Sequence, residues 1–261
     1  MLRSMYSGIS GLKNFQTKLD VIGNNISNVN TYGFKKGRVT FKDTMSQAVS
    51  GASASTPDKG GTNAIQVGLG SSMASIDNID TQGSAQTTNR TLDFSIEGDG
   101  YFVVKNGEAE FFTRAGNFYL DNDGVLVTSD GFKVQGEKGD ISIKDVVSFS
   151  IGQGGEIIGV DATGNNVPID TILLAKFDNP AGLTKAGNNT FQASVNSGEA
   201  KTGTADTEGR GKLITGRLEM SNVDLSEEFT EMIVAQRGFQ ANTRIITTSD
   251  EILQELVNLK R

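Results

Sequence analysis

At 261 residues the chain can hold one large domain or two small ones, and its formal charge of −7 argues against a nucleic-acid footprint. It contains no Cys and no His, which removes disulfides, thiol nucleophiles, thiolate metal sites and histidine-dependent catalysis and leaves carboxylate, Lys or Ser/Lys chemistry. No apolar run approaches the roughly 18 residues of a membrane span, and Arg3 is not followed by the apolar stretch of a secretory signal peptide.

The first 29 residues read as an amphipathic helix. Met5, Leu12, Leu19 and Ile26 recur every seven residues, and Leu2 and Ile9 start an interleaved apolar line that lapses into Gln16 and Gly23. The seam is expected to be strong at the tip and weaker inward. The run Gly23-Asn24-Asn25-Ile26-Ser27-Asn28 is poor in helix formers and is expected to fray or end the helix. Asn24, Asn25 and Asn28 read either as that helix end or as a polar recognition patch.

Between Ser46 and Ala64 the chain is mostly Ser, Ala, Gly and Thr, with Pro57 and few apolar side chains, which predicts an irregular linker or extended loop. From Leu92 onward, short apolar runs are punctuated by the turn pairs Asp99-Gly100, Asn106-Gly107, Asp123-Gly124 and Asp130-Gly131. Leu92/Phe94/Ile96, Tyr101/Val103 and Phe118/Leu120 alternate as half-buried strands do. Val125–Thr128, Phe132–Gln135, Val147–Ile151 and Thr171–Phe177 are further strand candidates.

The last forty residues mirror the first. Leu225, Met232, Phe239, Ile246 and Leu253 recur every seven residues, while Phe229 and Val257 share an adjacent line that is polar at Gln236, Thr243 and Asp250. Asp224 suits an N-cap with Glu227 three positions later, and Lys260 and Arg261 suit the opposite end of the helix dipole. A 35-residue helix spans about 52 Å and needs a partner along its length. Residues 1–40 carry a net +5 and residues 221–261 a net −3, which favours association of the two ends. The expected parse is α+β: helical ends at 1–30 and 221–261, a linker or extended segment at 31–66, and a β-rich, antiparallel, hairpin-rich domain at 67–220.

The chemistry-bearing motifs are weak. Asp121-Asn122-Asp123-Gly124 suggests a calcium loop, but the EF-hand pattern puts its first ligand at Tyr119 and its twelfth-position Glu at Asp130, so a hairpin turn is expected. Gly152-Gln153-Gly154-Gly155 lacks the Lys-Ser/Thr of a phosphate loop. Glu227 and Glu228 read as a solvated helix face rather than an acid/base pair. The heptad residues could form a core within one chain, but two terminal helices offer little apolar area for a self-contained bundle, so burial between chains is favoured.

Leu19-Asp20-Val21-Ile22-Gly23-Asn24-Asn25-Ile26-Ser27-Asn28, followed by Thr31 and Gly33-Phe34-Lys35, resembles the N-terminal signature of bacterial flagellar rod and hook proteins. Ser221-Asn222-Val223-Asp224-Leu225, Met232-Ile233-Val234-Ala235-Gln236-Arg237 and Leu256-Val257-Asn258-Leu259 look like that family's C-terminal hallmark. Asp99-Gly100-Tyr101-Phe102 and Thr113-Arg114-Ala115-Gly116-Asn117-Phe118 match its shared β-domain. The resemblance implies a structural subunit, with no catalytic or metal residues and no cofactor. Its terminal helices would pair as a coiled coil lining a helical tube, with the β-domain outside.

It further implies assembly contacts through Met5, Leu12, Leu19, Ile26, Leu225, Phe229, Met232, Phe239, Ile246 and Leu253. Asn24, Asn25, Asn28, Gly33, Phe34, Ser221, Asn222, Gln236 and Arg237 would be the family-motif positions. The implied partners are the chain itself, other axial proteins (rod, hook cap, hook–filament junction) and the flagellar type III export apparatus, with no nucleic acid and no small-molecule substrate. The implied location is the hook or basal body, outside the cytoplasmic membrane and reached without a cleaved signal peptide. The C-terminal helix looks more like hook members of the family, so a hook subunit is expected. The alternative is a distal rod subunit, because the segment between Phe41-Lys42-Asp43 and Gly68-Leu69-Gly70 resembles a rod stiffening stretch. A β-rich surface adhesin or binding module with helical anchors, or a carboxylate enzyme, would leave the paired terminal heptads unexplained.

Overall fold

The computed structural model describes residues 2–55, 59–144, 146–161 and 164–259. The fold is α+β, with helix α1 (Leu2–Ser27) at one end of the chain, helix α2 (Leu225–Leu259) at the other and short strands between them in sequence. Lys260 and Arg261, read as dipole-matching charges, lie outside the described residues, as does Pro57. Among the described residues no helix is long and apolar enough to cross a membrane. The chain forms two compact units, Met1–Ile26, Gly37–Asp77 and Asp224–Arg261 in the first, Ser27–Lys36 and Asn78–Val223 in the second.

In the first unit α1 lies between α2 and a two-stranded ribbon of Gly37–Asp43 and Ser71–Asn78. Phe15 meets Phe41 with ring centroids 6.5 Å apart, and the buried Asn14 donates from Nδ2 to Ser71 Oγ at 2.8 Å. α1 stays regular through Gly23–Asn25 and ends at Ser27, within the helix-poor run expected to fray or end it. The expected fraying is absent because Asn25 is tied on two sides. Its Nδ2 donates to Gly37 O at 2.9 Å and its Oδ1 accepts from Gly37 N at 3.0 Å. Tertiary hydrogen bonds outweigh a propensity deficit of roughly 0.7–1 kcal/mol per residue.

The stretch expected as a linker contains an antiparallel stem, Ser46–Ser50 with Ile65–Gly68, continued by reciprocal backbone bonds between Ser53 and Thr62. All residues of the two strands are exposed. The pairing rests on backbone bonds, and Val49, Ile65 and Val67 are exposed, so the stem buries no apolar face of its own. At the other boundary Asp224 Oδ1 accepts from Ser226 N at 2.8 Å, the N-cap geometry its position suggested.

The second unit is built on strand Tyr101–Asn106, which pairs with Ala109–Thr113, Lys133–Gly136 and Leu173–Lys176, antiparallel in each case. Because it has neighbours on both edges and layers on both faces, Tyr101 to Val104 are all buried, and the half-buried alternation expected there does not occur. Phe102 and Val104 enter one core with Phe94, Phe118, Leu126 and Leu174, while Tyr101 and Val103 enter another with Phe112, Phe177 and Phe191. Asp123-Gly124 closes the turn between Tyr119–Leu120 and Leu126–Val127. Asp99-Gly100 is a bend, not a hairpin: Phe94–Glu97 pairs with Lys212–Thr215 instead of with Tyr101–Asn106.

Candidate assembly interface

α1 and α2 run antiparallel, as successive contacts show. Gly8 faces Ile246, Gly11 faces Asn242, Phe15 faces Gly238, Lys18 forms an ion pair with Glu231, and Asn25 Nδ2 reaches Glu228 Oε2 at 3.1 Å. The sequence-derived lines Met5/Leu12/Leu19/Ile26 and Met232/Phe239/Ile246/Leu253 are half-buried. The second line on each helix differs from the apolar one expected. On α1 it is Gly8, Phe15 and Ile22, whereas Ile9 and Gln16 are exposed; the Leu2 side chain lies outside the description. On α2 it is Glu228, Ala235, Asn242 and Ser249, whereas Phe229, Gln236, Thr243, Asp250 and Val257 are exposed.

Small and polar residues carry the hidden line on α2, facing Gly8, Phe15 and Ile22 on α1, and glycines let the helices approach closely. A methyl group on Gly238 would lie 2.5 Å from the Phe15 ring, and one on Gly11 would lie 2.8 Å from the Asn242 side chain. Apolar periodicity scores Glu228, Asn242 and Ser249 as gaps, so it does not find this line on α2. Glu228, read as part of a solvated face, is 5% exposed and accepts from Asn25. A buried carboxylate at a helix start is tolerable because it is hydrogen-bonded and near the positive dipole end.

Away from that seam α2 presents apolar side chains to solvent along its length: Phe229, Ile233, Val234, Ile245, Ile252 and Leu256 are about half exposed, and Leu259 is 83% exposed. Leu225 is also exposed at the helix start, and α1 adds Tyr6 and Ile9. Ile245 also borders Gly8 of α1, and the others are large apolar side chains left exposed on one long helix. Gln236, Arg237 and Asn24 are exposed polar positions on the two helices.

The remaining motif residues lie in the second unit and join three chain segments. Asn222 Oδ1 accepts from Lys36 N at 2.8 Å, while its Nδ2 donates to Ile79 O at 2.8 Å and Thr81 Oγ1 at 3.0 Å. Gly33 adopts φ +67° and donates to Glu219 O at 2.9 Å; a Cβ there would lie 2.6 Å from Ala115 N. Phe34 lies under Lys185 Nζ, 4.8 Å from its centroid, and burial lowers the Lys185 amine. Ser221 is buried with Oγ accepting from Val223 N at 3.3 Å, and Asn28 Oδ1 accepts from Thr31 Oγ1 at 3.1 Å.

Beneath this junction is an ionic cluster the sequence did not flag. Lys35 Nζ bonds Glu219 Oε1 at 2.7 Å and Thr81 O at 2.8 Å, Arg114 Nη1 lies 3.3 Å from Glu219 Oε2, and Asp80 Oδ2 accepts from Tyr101 Oη at 2.8 Å. Burial first, and Arg114 second, push the Lys35 amine below its ordinary value against the pull of Glu219. Burial and the Asp80 carboxylate raise the Tyr101 phenol. Two cations and two carboxylates balance, so the cluster reads as a structural lock.

The same regions match known proteins. A family model described as Flagella basal body rod protein matches residues 5–35, the Flagellar hook protein FlgE/F/G D1 domain matches 95–159, and the Flagellar basal body rod FlgEFG protein C-terminal matches 214–259. The chain is 59% identical over 265 residues to the flagellar basal-body rod protein FlgG of Bacillus subtilis (strain 168), covering 100% of both. It is 39% identical over 274 residues to the FlgG rod protein of Borreliella burgdorferi, and 31% identical over 441 to that organism's flagellar hook protein FlgE, again with 100% of each chain covered. Paired terminal helices, the shared β-domain and end-to-end similarity together place the chain in the family of structural flagellar rod and hook proteins.

Proposed function

We propose that the chain is a subunit of the distal rod, the stiff drive shaft of the flagellar basal body, polymerising helically with copies of itself and joining other axial proteins. The carrying observation is the end-to-end similarity at 59% identity to a rod protein of nearly equal length. The hook reading drawn from the C-terminal helix is less well supported, because alignment with the hook relative stretches to 441 positions against 261 residues here. That relative carries a large insertion with no counterpart in this chain.

The exposed stripe of α2 supports self-assembly. Burying one such side chain contributes roughly 1.5–3 kcal/mol, so a handful per subunit suffices to order a polymer. The role proposed is mechanical, without catalysis, and reached by passage through the flagellar export apparatus. The stem at 46–68 then braces neighbouring subunits against bending. Electron microscopy of basal bodies from a strain lacking this chain tests the reading. Rods cut short before their outer portion support it; complete rods without a hook would replace it with the hook subunit.

A further inference from the structure

We propose that a small polar cleft in the second unit binds one ring of a neutral, hydroxyl-rich sugar. The cleft holds about 260 Å³ and forms where the segment after α1, the 113–117 turn, the 128–130 turn and the 188–190 hairpin tip converge. Its walls are fixed from within: Thr113 Oγ1 donates to Asn189 O at 2.8 Å and Asn189 Nδ2 donates to Tyr32 O at 3.3 Å.

Asn30, Tyr32, Asn117, Ser129, Asp130 and Asn188 line this cleft, and none of their side chains hydrogen-bonds another described residue. Asn117 sets the pattern. In its motif Arg114 and Phe118 are buried and Gly116 abuts Phe94 O, so their side chains or close contacts are used by the fold. The Asn117 amide is not. Three amides, two hydroxyls and one carboxylate thus offer unspent donors and acceptors to a common volume.

The donor set selects the ligand. No Lys or Arg lines the cleft, so nothing there neutralises a phosphate or carboxylate ligand. Ala115 is its one aliphatic side chain beside four threonine methyls, too little for a lipid or an apolar cofactor, whose pockets are mostly hydrophobic. Amides and a carboxylate match the alternating donors and acceptors of vicinal hydroxyls, and the Tyr32 ring offers a surface for the apolar face of a pyranose. The volume falls below the roughly 300–1,000 Å³ of larger ligand pockets, so one ring fits. This assignment stands independently of the rod reading.

Titration of the ¹⁵N-labelled full chain with glucose, N-acetylglucosamine and chitotetraose, followed by NMR, tests it. The expected result is saturable shifts at the side-chain amides of Asn30, Asn117 and Asn188. Asn117→Ala and Asp130→Ala should each weaken binding about tenfold without altering the rest of the spectrum. Tighter binding of the tetrasaccharide identifies a ring within a glycan chain, and equal affinity identifies a free sugar. Absence of saturable shifts with all three sugars overturns the proposal, as do shifts unchanged in both variants. Movement of the same signals on raising protein concentration without sugar also overturns it, since a segment of a second copy would then occupy the cleft.

Discussion

Lys35 and Glu219 are 184 positions apart in sequence yet meet at 2.7 Å with both side chains almost wholly buried. Such a pair contributes little net stability over an apolar replacement, but removing one partner leaves an uncompensated charge. Glu219→Gln leaves Lys35 and Arg114 facing Asp80 alone, and is expected to cost about 3–5 kcal/mol, read as a lowered urea midpoint. The K35M/E219Q double variant should lose less than the sum of the single changes, because it removes a buried cation along with its partner. Additive losses would mean the two side chains act independently. Lys35 was legible only as a motif member and a basic group, and Glu219 not at all, since no local pattern connects residues on distant segments.

The helix pair is read best at the level of the element. Both heptad lines of large side chains were visible in sequence, and their members, apart from the exposed Leu225, are half-buried, with Ile246 facing Gly8 of α1. The line on α2 was missed because Glu228, Asn242 and Ser249 register as polar, and the one on α1 because it begins at Gly8. Two glycines separate these effects. At Gly8 an added methyl meets Ile246 at 3.5 Å, an ordinary contact, so Gly8→Ala should hold or raise helix stability, by up to about 1 kcal/mol. At Gly238 the methyl meets the Phe15 ring at 2.5 Å, so Gly238→Ala should destabilise the pair by about 1–3 kcal/mol despite the same propensity gain. Thermal melts followed by helical circular dichroism check both; equal responses would contradict the close crossing.

At the scale of the whole molecule, inner-seam and outer-stripe residues have different expected phenotypes. Phe239 and Ile246 are half-buried, Ile246 against Gly8 of α1, so Asp at either position is expected to weaken the subunit as well as its assembly. Ile252 and Leu256 are nearly half exposed. The I252D/L256D variant is expected to stay monomeric in sedimentation under conditions where the parent polymerises, with unfolding free energy changed by no more than about 0.5 kcal/mol. A polymer of ordinary length would assign the stripe another role. Deleting the exposed stem from Ser46 to Gly68 should leave assembly intact and lower the persistence length of the polymer in electron micrographs. An unchanged persistence length would remove the bracing role.

The sequence by itself determined the fold class, the terminal helices with their large-residue heptads, the Asp224 cap and most hairpin turns, because each depends on periodicity or chemistry within a few residues. It also carried the family resemblance, since the motif strings are local. Tertiary structure decided that α1 stays regular through Gly23–Asn25, because the Asn25 bonds to Gly37 and Glu228 override local propensity, although the helix still ends within the run read from the sequence. It decided which face of α2 meets α1, because backbone approach at glycine leaves no hydrophobic signature. It decided that Tyr101 to Val104 are buried on both faces, because burial depends on the layers above and below a strand. The Lys35–Glu219–Arg114 cluster and the polar cleft around Asn117 belong with these, since each is assembled from segments that only the folded chain brings together.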